Sequence, residues 1–198
     1  MYPTKEAALT LLKEAVTHNP GPWEAHSLCV AHCAEAIAAR SGLNADKAYV
    51  LGLLHDIGRR FGVFHLRHVY EGYKYMTLLG YDEVAKICLT HSFAEGHGID
   101  DYVGNHDLDE DETANLLNKL SEVKFDDYDK LIHLCDACGT ATGVAHLEDR
   151  MGDVKARYGD YPVAKWNYNF ELKGYFEMKM GMDLYEAVGM DTYRPAYS

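Results

Sequence analysis

The chain carries an adjacent imidazole and carboxylate, His55-Asp56, near the end of the run Leu51-Gly-Leu-Leu-His-Asp-Ile-Gly-Arg-Arg60. Gly58 reads as the C-cap of the helix this run would form, because glycine enters the left-handed turn without a Cβ clash. That places His55 and Asp56 in the last turn of a helix whose other faces are buried. Buried polar and charged groups need partners, and an ion that takes mixed nitrogen and oxygen ligands is one such partner. Taken alone, the pair also fits a helix-end Asp bonded to its neighbours beside an incidental His. Four further residues extend the set. They are His26 in Trp23-Glu-Ala-His-Ser-Leu-Cys-Val-Ala31, His68 in Arg67-His-Val-Tyr-Glu-Gly-Tyr73, His91 in Ile87-Cys-Leu-Thr-His-Ser92 and Asp136 in Leu131-Ile-His-Leu-Cys-Asp-Ala137.

The order His…His-Asp…His…His…Asp, anchored by "HSLCVA", "LLHDIGR" and "LIHLCDA", resembles the HD-domain superfamily of metal-dependent phosphohydrolases over roughly residues 20–158. The resemblance implies an all-α, single-domain helical bundle with a metal site at its centre. It implies His26, His55, Asp56 and Asp136 as the basic ligand set, with coordination positions left open for water and substrate. His68 and His91 match the subfamilies that hold a second ion, in which Asp56 would bridge the two. His68 lies only 13 positions after His55 (68 − 55), and His65 competes for its place; Gly72 completes an "HxxxG" pattern that favours His68. Related hydrolases point a Lys or Arg from the "HDIGR" position toward substrate phosphate, which makes Asp56 and Arg59 the expected catalytic residues. Arg59, Arg60 and Lys74, with Arg67 behind them, are the candidates to bind phosphate. A guanidinium suits that task because its planar fork takes two oxygens at once. Glu24, Glu71 and His97 stay open as the acid for the leaving group.

The chemistry so implied is hydrolysis of a small phosphorylated metabolite, a nucleotide foremost, through a metal-activated water. The ligand order lies nearest the dinucleoside tetraphosphate hydrolases. One or two divalent transition ions (Fe, Mn, Co, Ni or Zn) suit these donors, and magnesium suits them less. Two other classes share the resemblance: a mixed-valent di-iron oxygenase on the same ligands, and a non-catalytic metal-containing binding module.

Composition frames these options. With 198 residues, 47% apolar and 25% charged, the chain suits one soluble domain, residues 1–198, whose last part, about 159–198, is a Tyr-rich extension. No apolar run approaches the ~20 residues that span a bilayer, and no signal-peptide pattern opens the chain. Five cysteines without a framework spacing fit reduced thiols and a cytoplasmic setting. A formal charge of −12 disfavours nucleic-acid polymers and anionic membranes as partners. A small phosphorylated substrate remains compatible, since a metal and a few arginines reverse the field locally.

The elements that must position these residues read as helices, because three-and-four apolar spacing recurs and strand signals are scarce. Thr4 caps a helix to about residue 16, and Pro22 opens a second that stops at Ser41-Gly42, with His26, Val30, Cys33 and Ile37 on its inner face. Asn44 caps the helix that delivers His55. A helix ending at Gly80 follows, then one that Asp82 caps and that ends near His91. Residues 93–111 read as a long surface loop, followed by helices at about 112–123, 126–138 and 143–158 and a last one around 169–180. The tail is expected to pack on the bundle, a homodimer contact being the other reading. Cys29 and Cys33, Cys135 and Cys138, His133 and His146 are assigned to packing. His32 reads as a surface residue, His97 and His106 as loop histidines, and Glu148-Asp-Arg150 as a solvated helix face.

Overall fold

Thr4, Asn44, Asp109 and Asp126 each accept a main-chain N–H from the turn that follows, and each starts a helix. The computed structural model describes residues 1–190, and among them ten α-helices and one minimal hairpin make an all-α bundle. In chain order the first helices are α1 (Lys5–His18), α2 (Trp23–Ser41), α3 (Ala45–Leu54), α4 (Arg67–Leu78) and α5 (Asp82–Thr90). They are followed by α6 (Glu110–Glu122) and α7 (Asp127–Cys138), then β1 (Gly139–Thr140) paired antiparallel with β2 (Gly143–Val144). α8 (Leu147–Tyr158), α9 (Val163–Met180) and α10 (Leu184–Ala187) complete the set. No helix among the described residues is long and apolar enough to cross a membrane.

The centre of the bundle is α2, α3 and α7. Val30, Ile37, Leu51, Leu54, Leu131 and Leu134 from these helices are buried in one apolar core. α2 and α3 meet backbone to backbone: a Cβ on Gly52 would stand 2.9 Å from Ala31 Cα, so glycine is what lets them close. A smaller cluster of Leu66, Val69, Leu89, Phe93, Leu116 and Leu120 ties α4, α5 and α6 together. α9 lays Leu172 and Phe176 into the main core, as expected of the tail; residues 191–198 lie outside the described part.

Several boundaries differ from the sequence expectation, each for a local reason. α3 stops at Leu54, so His55 and Asp56 lie beyond it, ahead of a 3₁₀ turn at Ile57–Phe61. Gly58 is inside that turn with no positive φ, and it is not a C-cap. Its Cβ would overlap the His68 carbonyl and stand 2.6 Å from Gly72 N, so close crossing of the turn over α4 demands the glycine. Asp82 is the first residue of α5, preceded by Tyr81 as N-cap, and caps nothing with its side chain. Residues 93–111 are not a plain surface loop. Phe93, Ala94 and Asp101 are buried, and Asp107 accepts the main-chain N–H groups of His65 and Arg67 at 2.8 and 2.7 Å. α6 starts two residues earlier than expected, on a capping box of Asp109 and Glu112. The stretch expected as one helix from residue 143 opens with the hairpin, and α9 begins at Val163, directly after Pro162.

The Gly58 crossing is directly testable. Gly58→Ala places a methyl group against backbone atoms that cannot rotate away, so it is expected to destabilise by at least the ~1–3 kcal/mol typical of overpacking. Thermal unfolding followed by circular dichroism should show a clearly lower midpoint. An unchanged midpoint would mean that the turn and α4 are free to separate.

Candidate metal centre

α2, the turn after α3, the first turn of α4, the end of α5 and the last turn of α7 point polar side chains at one another in the middle of this apolar bundle. Asp136 Oδ1 lies 2.9 Å from His26 Nε2 and 3.6 Å from His55 Nε2, and the two imidazole nitrogens are 3.3 Å apart. On the other side, Asp56 Oδ1 lies 3.0 Å from His68 Nε2 and 3.7 Å from His91 Nε2, and these nitrogens are also 3.3 Å apart. Asp56 joins the halves, because its Oδ2 lies 3.9 Å from His55 Nε2. His55, Asp56, His68 and His91 are buried, while His26 and Asp136 keep some access to solvent.

The second ring nitrogen explains the orientation. His55 Nδ1 donates to the Gly52 carbonyl at 2.7 Å, His91 Nδ1 to the Ile87 carbonyl at 3.1 Å, and His68 Nδ1 to the His65 carbonyl. With the proton held there, Nε2 carries the lone pair, and two lone pairs facing each other at 3.3 Å cannot hydrogen-bond. A cation between them resolves the conflict. The trios His26–His55–Asp56, His55–His91–Asp136 and Asp56–His68–His91 each bring three ligand atoms within 4.8 Å of one another, so this donor set fits a divalent transition ion.

Protonation states favour the same use. Burial, then the neighbouring His55, pushes the His91 imidazole down to about 3. Burial, then Arg59, lowers His68. Burial would lower His55 too, but the Asp56 and Asp136 carboxylates outweigh it and raise that ring. For Asp56, burial favours the neutral acid, yet Arg59 and the imidazoles of His68 and His55 hold it well below the usual carboxylate range. Asp136 is depressed in the same way against burial, by His26 and His55.

The centre forms the floor of a cleft of about 620 Å³, inside the ~300–1,000 Å³ range of small-molecule sites. Arg59 lines it, gripping Asp56 Oδ2 through Nε at 2.5 Å and the Phe64 carbonyl through an NH group at 3.1 Å, which leaves other N–H groups free. Arg60 and Lys74 lie outside. Arg60 reaches Glu14 at 3.2 Å over the Tyr75 ring, and Lys74 pairs with Glu71 at 2.7 Å. Arg67 is forked onto Glu112. His65 contributes its carbonyl to His68, and its own ring faces Tyr158, so His68 is the one in the cluster. Neither Glu24, Glu71 nor His97 lines the cleft, and His97 pairs with Asp101 at 3.2 Å.

Other residues do line it without a sequence motif to announce them. Arg150 turns inward from its expected solvated face and donates to the Gly139 carbonyl at 3.2 Å, while His133, Tyr102, Tyr161 and Lys165 complete the wall. For Lys165 a signal exists: Lys165, Asn169, Leu172 and Phe176 recur at helical spacing on the buried face of α9. A lysine on such a stripe is unusual. The five cysteines are all buried and none forms a disulfide, which agrees with the packing assignment of Cys29, Cys33, Cys135 and Cys138, and His32 is exposed beside Glu35.

This arrangement is an α-bundle enclosing a His/Asp cluster, split about one aspartate, that could hold a metal ion. The model of the HD domain family matches residues 23–141, which include every member of the cluster, and the chain belongs to that family. Among solved structures it is similar to the HD domain of the L. monocytogenes phosphodiesterase PgpH. That match has 17% identity and a TM-score of 0.46, and covers 82% of this chain and 94% of that one. No curated protein matches.

The buried histidines make stability pH-dependent once metal is removed. His91, His68 and His133 have native pKa values below the ordinary 6.5, His133 being lowered to about 4 by burial and Lys165. Below pH 6.5 the unfolded chain therefore takes protons that the native chain refuses, and each such proton costs about 1.4 kcal/mol per pH unit. The raised His55 acts oppositely, but only near and above 6.5, so acid wins below it. The melting temperature of metal-stripped protein should fall steadily from pH 7 to pH 5. A flat profile would show that these rings are not buried as neutral groups.

Proposed function

We propose that the chain is a metal-dependent phosphohydrolase of small phosphorylated metabolites, with nucleotides the favoured class, and that His26, His55, Asp56, His68, His91 and Asp136 would hold one or two divalent ions, Asp56 standing between the two halves of the set. The observation that carries this reading is the convergence of two Nε2–Nε2 pairs on either side of Asp56, with the His68 and His91 lone pairs facing each other at 3.3 Å. When bound, divalent ions supply a water acidic enough to ionise near neutral pH and compensation for charge on phosphorus oxygens. The protein's own part is positional. Asp56 keeps one oxygen toward each half while Arg59 fixes its carboxylate plane. The remaining Arg59 N–H groups extend into the cleft, where they can take the oxygens of the phosphoryl group as charge builds on them. The three acids raised from the sequence do not line the cleft, whereas Tyr102 does, and its hydroxyl is the donor offered to a leaving group.

Two measurements test this. Metal analysis of purified protein should return a transition ion at one to two per chain, lost on His55→Ala. Anaerobic phosphate release from a panel of nucleotides and phosphate esters should single out one class. Asp56→Asn should abolish that turnover, and Arg59→Ala should lower kcat by about 10²–10³-fold, the range for losing a charge-stabilising donor. Oxygen consumption by iron-loaded protein with no phosphate release would replace this reading with the oxygenase. Metal binding with neither activity would leave the binding module.

A further inference from the structure

The family match ends at residue 141, yet a large part of the cleft wall comes from beyond it, from α8, α9 and the turn between them. Lys165 is the centre of that wall. It is 8% exposed and donates to the carbonyls of Ser92 at 2.5 Å and Asp101 at 3.2 Å. The facing carboxylate oxygen, Asp101 Oδ2, stands 3.9 Å away, beyond hydrogen-bond reach, and accepts the Ala94 N–H at 2.7 Å. An ammonium has three protons to donate, so two neutral carbonyls leave one N–H without an acceptor, while Asp101 Oδ2 at 3.9 Å answers part of the charge without taking that proton. Burying such a cation is costly unless an anion completes its shell.

Two neighbours share the incompleteness. Asn169, one helical turn after Lys165, donates to the Tyr161 hydroxyl oxygen at 2.9 Å. With that oxygen already accepting, the Tyr161 proton is free for another acceptor, and Tyr161 lines the cleft. His133 lies one turn before Asp136 on α7, is 2% exposed and lines the same wall, and its ring nitrogens have no partner in good hydrogen-bond geometry, Asn169 being the polar side chain beside them. His133 is thus a buried polar group with unfilled bonding capacity, and Lys165 and Tyr161 each keep a proton without an acceptor, which together mark a place that a ligand completes.

We propose that Lys165 and Tyr161, with His133 beside them, form a second anion subsite, which takes an anionic oxygen group of the substrate other than the phosphoryl group at the metal centre. The subsite rests on the reading of the cleft as a phosphorylated-substrate site, and narrows it to substrates with two anionic groups. A carboxylate and a further phosphate share the chemistry: each brings several acceptor oxygens and negative charge within hydrogen-bond reach of the remaining Lys165 proton. A neutral sugar or an apolar leaving group brings no such charge.

Calorimetric binding to the purified, metal-loaded protein tests this with matched probes. 3-Phosphoglycerate against glycerol 3-phosphate adds a carboxylate; fructose 1,6-bisphosphate against fructose 6-phosphate adds a phosphate. At least one two-anion probe should bind tenfold or more tightly than its partner, and the pair that shows it identifies the source. Lys165→Met should remove that preference while inorganic phosphate affinity holds, and Tyr161→Phe, which deletes one oxygen, should reduce it several-fold without altering the circular dichroism. Equal binding within both pairs by the wild-type protein overturns the subsite. So does a preference that survives in Tyr161→Phe and in folded Lys165→Met, with a lower melting temperature in the latter the sole effect. In that case Lys165 merely ties two carbonyls together. A two-anion preference in a protein that hydrolyses no phosphate ester would sink the hydrolase reading and leave the subsite standing.

Discussion

Two pairs of imidazole nitrogens face each other at 3.3 Å across one aspartate, and the bundle is built so that they cannot turn away. His55, His68 and His91 each surrender one nitrogen to a carbonyl three or four residues earlier in the chain. The helix ends thus choose the tautomer and the ring plane together. The lone pairs left over repel, while two carboxylates beside them stay ionised in a buried site. Nothing in an apolar core compensates that arrangement except positive charge, and Arg59 supplies only part of it through Asp56 Oδ2.

Holding such a cluster constrains the backbone around it. His68 can reach Asp56 because Gly58 and Gly72 remove side chains where the 3₁₀ turn, α4 and α5 cross. His26 can face His55 because Gly52 lets α2 and α3 close to backbone contact. Each of these glycines sacrifices some stability in its own element, about 0.5–1 kcal/mol relative to alanine in a helix. The geometry of the centre is what the close approaches return. Core substitutions at these crossings therefore act on the metal centre as much as on the fold.

The members of the cluster were legible in the sequence because each sits in a short apolar context at the end of a helix, and their order survives without coordinates. The helices around them were legible too, through caps such as Thr4 and Asn44. What could not be read was how far each element approaches its neighbour. Gly58 looks like a cap when only its own helix is considered; its role lies in α4, which no local pattern announces. Arg59 stands ahead of Arg60 and Lys74 in the sequence through its place after the His-Asp pair, but only the fold shows that it lines the cleft while the others turn to Glu14 and Glu71. Arg150, Tyr161 and Lys165 have no motif and act across long sequence separations. The buried stripe of α9, with a lysine among leucine and phenylalanine, was the one available clue.

The charge distribution connects the cleft to its expected ligand. A chain of net charge −12 repels anions at long range, but that repulsion is screened beyond ~8 Å at physiological ionic strength. Inside the cleft the balance differs: Arg59, Arg150, Arg157 and Lys165 line it against Asp56, Asp136 and Asp153. Two of these carboxylates are in the cluster, so ions bound there would turn the floor positive and leave Asp153, already held by Arg157 at 2.9 Å, as the remaining acid. The low-dielectric walls of the cleft would focus such a local field. On the proposed reading, attraction for anions would come from the loaded cleft and not from the surface as a whole. The acidic surface would deter nucleic-acid polymers, while a small phosphorylated molecule would meet cations from both the family core and the residues after it.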